Sequence, residues 1–222
     1  MKESSYRFLK QTLYTFQCPN ELFTPLIDFN NALDWSLIEN RAKAVNDHRL
    51  ARPGKSYSSE FGSLTEEFSL RSVHEWITHC FNTVLQEIGW RESSIRELFI
   101  SQSWLNCSSI GELHHRHTHN LSLLSSILYL TENCKTDFYL PSIYNLGAPL
   151  ITAKQRIDIK DTYTAKAGDL IIFPSTLEHS VEPNLEPFPR ITLSCNSWFK
   201  GNTGNIAELA YIGNYQTKSH TL

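Results

Sequence analysis

The chain lacks several features that would mark it for particular functions. Its five cysteines, Cys18, Cys80, Cys107, Cys134 and Cys195, are odd in number, widely spread and form no Cys-x-x-Cys pair. That spacing excludes a disulfide framework and a zinc ribbon, and the thiols read as reduced, buried, small apolar residues. Cys107 stands out only by lying near a histidine cluster. Charge of one sign is also scarce, with 20 Lys and Arg against 23 Asp and Glu and a net charge of -3. A nucleic-acid groove normally shows as a strongly basic domain, so the balance argues against a duplex nucleic-acid partner. No apolar run approaches the roughly 20 residues that cross a bilayer, so no membrane role is expected. Met1-Lys2-Glu3-Ser4-Ser5-Tyr6 has no apolar stretch of the secretory type, and the expectation is a cytoplasmic protein. Internal repeats, low-complexity tracts and obvious linkers are absent.

What is present is an ordinary globular composition, 41% hydrophobic and 19% charged over 222 residues, suited to a single domain spanning 1–222. Residues 11–17 alternate and read as a strand. A helix is expected over 20–33, with Asn20 as N-cap and Leu22, Leu26, Phe29 and Leu33 on one stripe. Residues 41–68 are polar and irregular, with Pro53-Gly54 as a turn. The clearest helix runs from about Ser69 to Ile88, where Leu70, Val73, Trp76, Ile77, Cys80, Phe81, Val84, Leu85 and Ile88 recur at helical spacing. Ser72 with Glu75 forms a capping-box pattern, and Gly89 sits where a C-terminal glycine would. His74 and His79 on this helix read as surface or packing histidines.

From residue 97 the texture changes to strands: 97–104, 115–120, 123–130, 136–140, 155–159, 162–165, 170–173 and 191–198. Helices first and short strands later predict a mainly β fold, a jelly roll with helices packed on its outside. The expected layout is an N-terminal strand and supporting helices over 1–96, a catalytic core over 97–200 and a polar tail over 201–222. Along 190–196, Arg190, Thr192, Ser194 and Asn196 share one strand face and Ile191, Leu193 and Cys195 the other. The polar face either lines an internal pocket or meets solvent.

The chemistry-bearing feature is His114, His115, His117 and His119, with His179 far downstream and Arg190 beyond it. Imidazoles at i and i+2 of a strand point to the same face. A third from a neighbouring strand can close three positions around a metal and leave the others open, the layout of a mononuclear non-haem iron site. Two His-x-His pairs exist, His115/His117 and His117/His119; the second is preferred from its surroundings, with His114 and His115 read as outer or surface groups.

Trp104-Leu-Asn106, Gly111-x-x-His114-x-x-His117-x-His119, Ser122, Ser125 and Tyr129-Leu130 resemble the first half of the 2-oxoglutarate/iron(II)-dependent oxygenases found in phages and marine bacteria. The run Ala167-Gly168-Asp169-Leu170-Ile171-Ile172-Phe173-Pro174-Ser175, then His179-Ser-Val-Glu-Pro183 and Pro189-Arg190-Ile-Thr-Leu-Ser194-Cys-Asn196, resembles the second half. The likeness covers roughly 97–199. It implies a double-stranded β-helix of cupin-like type. It also implies iron(II) held by His117, His119 and His179, and 2-oxoglutarate clamped by Arg190. Arginine suits that role because it can pair bidentately with a carboxylate. Thr192 is placed to assist, and Asn106, Tyr129 and Asn196 are further pocket candidates.

The activity implied is oxidative decarboxylation of 2-oxoglutarate by O2 to succinate and carbon dioxide, coupled to hydroxylation of an unidentified substrate. No catalytic residue beyond the metal ligands is implied, the oligomeric state is open, and a phage-encoded chain would act in the host cytoplasm. Most of the wider superfamily has Asp or Glu where this chain has His119. A three-histidine set carries one less negative charge, and with free imidazole titrating near ~6.5 it is expected to release iron in mild acid. Two other readings are a cupin-like three-histidine metalloenzyme that does not use 2-oxoglutarate and a non-enzymatic jelly-roll binding module.

Overall fold

The computed structural model describes residues 12–36, 57–58, 63–88, 97–139, 160–200, 203–205 and 210–212. Two antiparallel sheets face each other, and two helices cover the outer face of the larger one. In chain order the strands are β1 (Tyr14–Gln17), β2 (Tyr57–Ser58), β3 (Leu98–Ser108), β4 (His114–His117), β5 (Leu124–Tyr129), β6 (Cys134–Tyr139), β7 (Lys160–Ala165), β8 (Asp169–Pro174), β9 (Glu178–Val181), β10 (Arg190–Phe199), β11 (Thr203–Asn205) and β12 (Ala210–Ile212). Among the described residues the α-helices are α1 (Asn20–Ala32) and α2 (Arg71–Glu87). The larger sheet runs β1-β8-β5-β10-β3-β2, the smaller β4-β9-β6-β7, and β11 pairs with β12.

The central strands are apolar on both faces because both are covered. Leu128, Leu170, Ile172, Ile191, Leu193 and Cys195 pack outward against Val73, Ile77, Cys80, Phe81, Val84 and Leu85 of α2. Their chain neighbours Ile127, Tyr129, Ile171 and Phe173 turn inward to Cys134, Phe138 and Leu177. Alternation thus survives within each strand, but burial on two sides makes β5 and β8 read as continuous apolar runs. Gly168 opens β8 at φ +88, a left-handed conformation that glycine adopts without steric cost.

Several element ends differ from the sequence expectation. The N-cap of α1 is Pro19, without a side-chain cap, and Asn20 is the first helical residue. Proline's fixed φ suits an entry position, and no side-chain oxygen is needed there. The Ser72–Glu75 capping box does not form, because the N-cap of α2 is Leu70 and Glu75 accepts a 3.0 Å bond from Arg71 Nε. A 3-10 turn at Phe68–Leu70 leads directly into the helix and supplies that cap position. His74 packs as expected of a structural histidine, with Nδ1 2.9 Å from Thr65 Oγ1.

Residues 63–68 carry 3-10 turns and residues 57–58 a short strand, where irregular chain was expected. The tail holds the β11–β12 hairpin. Strand β9 was not foreseen, because Glu178-His179-Ser180-Val181 is short and half polar. The expected strand at 155–159, the Pro53-Gly54 turn and Gly89 lie outside the described residues. All five cysteines are buried and free. No helix among the described residues is long and apolar enough to cross a membrane.

Candidate metal centre and co-substrate cavity

Strand β4 lies antiparallel to β9, with His117 opposite His179. The register shifts between His114 and His117, three residues on β4 against two on β9. Such a bulge re-aims a side chain. It brings His114, which strict alternation would turn away from His117, onto the same side. Their rings stack with centroids 4.7 Å apart. His115, on the expected face by alternation, is instead exposed. The expected strand over 115–120 therefore begins one residue earlier and stops at His117, and His119 lies just past its end. His119 is held there by its backbone N–H, which donates to Ser175 O at 3.0 Å.

Despite that displacement, ring nitrogens of His117, His119 and His179 lie within 4.8 Å of one another. Their protonation is legible from their partners. His117 Nδ1 is 2.7 Å from His115 O, and His179 Nδ1 is 3.0 Å from Leu177 O. A carbonyl only accepts, so each Nδ1 carries the proton and each Nε2 presents a lone pair. His119 Nε2 lies 3.3 Å from His179 Nε2. Outer carbonyls fixing the tautomer and inner lone pairs converging on one point are what a bound cation requires. The donor set fits iron(II), which accepts imidazole nitrogen and leaves positions open when only three are taken.

The surroundings keep these rings neutral. His179 is 2% exposed and packs edge-on to Phe173 with centroids 4.9 Å apart. Burial, reinforced by the neighbouring histidines, pushes His179 down to about 2. Burial likewise takes His119 to about 4 and His114 to about 3, and lowers His117. In the metal-free protein the rings therefore gain protons at a lower pH than free imidazole, because a charged imidazolium there would be desolvated.

A consequence can be measured on the metal-free protein. The unfolded histidines titrate near ~6.5 and the folded ones below it, so the unfolded state binds more protons between those values. Stability contributed by these groups is complete above about pH 6.5 and falls as the pH drops towards 4, by at most ~1.4 kcal/mol per pH unit for each. Urea midpoints measured in chelator should decline from pH 7.5 to pH 5, with a shallower decline in His114→Gln. Parallel pH profiles for the two proteins would contradict this account.

One cavity of about 240 Å³ is lined by the three histidines, His114, Trp104, Asn106, Tyr129, Thr136, Val181, Arg190, Thr192, Ser194 and Asn196, among others. All eight site residues expected from the sequence border it. The register explains the grouping: Thr192 pairs with Asn106 on one side and Tyr129 on the other. Asn106 Nδ2 donates to Ser194 Oγ at 3.0 Å and to Thr192 Oγ1 at 3.4 Å. The Tyr129 hydroxyl is 2.7 Å from Thr136 Oγ1, and burial pushes its pKa up.

Arg190 is 7% exposed. Its Nη1 donates to Glu182 O at 2.7 Å and Nη2 to Glu112 O at 3.4 Å. Among the described residues it forms no ion pair with a carboxylate. A buried guanidinium oriented by two neutral carbonyls beside a cavity is a receptor for an anion. Sequence reasoning placed His114 outside the pocket because a bulge leaves no mark in a period-two pattern. Trp104 and Ser194 also line the cavity, each two residues from an expected site residue on its strand, Asn106 on β3 and Thr192 on β10, where alternation gives them the same face.

Residues 102–196 match the family described as "Putative 2OG-Fe(II) oxygenase". Among solved structures, a Pseudomonas putida prolyl-4-hydroxylase is similar at 14% identity over 85% of this chain and 92% of its own, with a TM-score of 0.52. The non-haem α-ketoglutarate-dependent carbocyclase SnoK from nogalamycin biosynthesis is similar at 13% identity over 93% and 89%, with a TM-score of 0.57. EctD from S. alaskensis, solved with 2-oxoglutarate and 5-hydroxyectoine, is similar at 16% identity over 84% and 72%, with a TM-score of 0.52. At these identities the likeness shows the fold, a double-stranded β-helix. No curated protein matches the chain.

Proposed function

We propose that the chain is a 2-oxoglutarate/iron(II)-dependent oxygenase that hydroxylates its substrate and that His117, His119 and His179 hold the iron, a reading supported by the match of residues 102–196 to that family's model. The observation that carries the assignment is the convergence of three neutral imidazoles beside a buried arginine that has no carboxylate partner among the described residues. Bound there, iron(II) supplies the redox chemistry that couples loss of carbon dioxide from 2-oxoglutarate to oxidation of a C–H bond.

The protein's own contribution is orientation and exclusion of water. Arg190 receives the distal carboxylate, with Thr192 and Tyr129 at the same level of the cavity to donate hydrogen bonds. Asn106, tied to Thr192 and Ser194, borders the same end. Phe173 and Phe138 pack behind His179 and close that side to solvent. Asn196 belongs to the other end. It lies six positions along β10 from Arg190, about 20 Å at strand rise, whereas five carbons at ~1.5 Å per bond span at most about 6 Å. A co-substrate on Arg190 therefore leaves Asn196 and Trp104 to face the substrate.

The test has two stages. Labelled 2-oxoglutarate should release carbon dioxide only with both iron(II) and O2 present. Iron binding without any turnover would instead support a metalloenzyme that does not use 2-oxoglutarate, and binding of neither would support a non-enzymatic module. With a substrate in hand, 18O2 should place one labelled atom in succinate and one in the product. An oxidised product carrying no label would overturn hydroxylation.

A further inference from the structure

One of the three converging histidines, His119, sits where the strand ladder does not by itself position it, whereas His117 and His179 are paired across β4 and β9. His119 lies beyond the end of β4, on a loop that includes Leu121 at φ +56. His179 follows the turn that leaves β8, where Leu177 N donates to Pro174 O at 2.9 Å. Between Pro174 and His179 lies Ser175, 0% exposed, and its polar atoms face the His119 loop. Its carbonyl accepts from His119 N, and its N–H donates to Leu123 O, both at 3.0 Å. Its hydroxyl donates to Ser122 Oγ at 2.7 Å and lies 2.8 Å from Ser125 Oγ.

The chain of contacts continues in both directions. Ser122 Oγ donates to Leu124 O and Ser197 O, and Ser125 Oγ donates to Asn196 Oδ1 at 2.8 Å. One residue thus grips the His119 loop at both ends and ties it to β5 and β10. Burying this many polar groups is costly unless each is paired, and a short loop of ordinary sequence does not demand it. A metal ligand does, because its ring must be held within about half an ångström of the productive position.

Building on the reading of His119 as a ligand, we infer that Ser175 is a positioning residue that sets the placement of His119 relative to His179. Removing its hydroxyl keeps the two backbone bonds to the His119 loop but cuts the tie to Ser122 and Ser125, which loosens the anchorage of that loop on β5 and β10.

Cobalt(II), a visible stand-in for iron, is titrated into wild type, Ser175→Ala and His119→Ala without 2-oxoglutarate. Affinity and the ligand-field absorption band are read together, and folding is followed by far-UV circular dichroism. Ser175→Ala should bind cobalt 10–100-fold more weakly, the range found for loss of an outer hydrogen-bond partner, with a shifted band and an unchanged fold. His119→Ala should lose more. Should Ser175→Ala fail to fold, Ser122→Ala removes the acceptor of the same hydroxyl and should move affinity and band in the same direction by a smaller factor. Wild-type affinity and band in the serine variant, with His119→Ala impaired, would overturn the positioning role alone. Wild-type behaviour of His119→Ala would overturn the ligand reading on which it rests.

Discussion

Replacing His179 with alanine is expected to abolish iron binding at micromolar metal and to bring 2-oxoglutarate turnover to background. The loss should exceed the roughly 10–100-fold typical of an outer-sphere change, because a ligand itself is removed. The ring's position leaves no substitute: it is fully enclosed, its Nδ1 is fixed by Leu177 O, and Phe138 and Phe173 pack against it. Alanine also leaves a void, so His179→Gln, closer in volume, is the companion variant. Both should fold in metal-free buffer and both should fail to take up iron. Iron affinity within a few-fold of wild type in a folded variant would mean that the metal is held elsewhere.

Arg190→Met is expected to raise the Michaelis constant for 2-oxoglutarate by one or more orders of magnitude. Loss of one partner of a buried charge pair costs roughly 2–5 kcal/mol, and every 1.4 kcal/mol is tenfold. Arg190→Lys should recover only part of this, because an ammonium cannot reproduce the planar fork that pairs with a carboxylate. The arginine also donates to Glu182 O and Glu112 O, so thermal midpoints belong beside the kinetics. A lowered midpoint with an unchanged Michaelis constant would make Arg190 a structural residue and move the co-substrate's carboxylate to another partner.

These two residues were legible in the sequence for different reasons. Arg190 announced itself through alternation, being the first of the polar set Arg190, Thr192, Ser194 and Asn196 opposite the apolar set Ile191, Leu193 and Cys195. The structure buries the first set around the cavity and the second against α2. His179 was visible as an isolated histidine after an apolar run, but the strand that carries it was not, because β9 is four residues long and takes its stability from pairing with both β4 and β6. Short strands of mixed polarity have no local signature, and their partners lie far away in sequence.

The amino-acid sequence by itself determined the two-sided burial of the central strands, the amphipathic helix that covers them, and the residue types for a metal and an anion. Those properties are written in periodicity and chemistry, which are local. Only the tertiary structure decided which histidines meet. Alternation alone pairs His117 with His119 and His115, yet a bulge in β4 turns His114 in and His115 out, and His119 reaches the site from a loop. What decides this is the register of β4 against β9 and a hydrogen bond from His119 to Ser175, 56 positions away. Such contacts form only when distant segments close on each other, so no pattern within either segment encodes them.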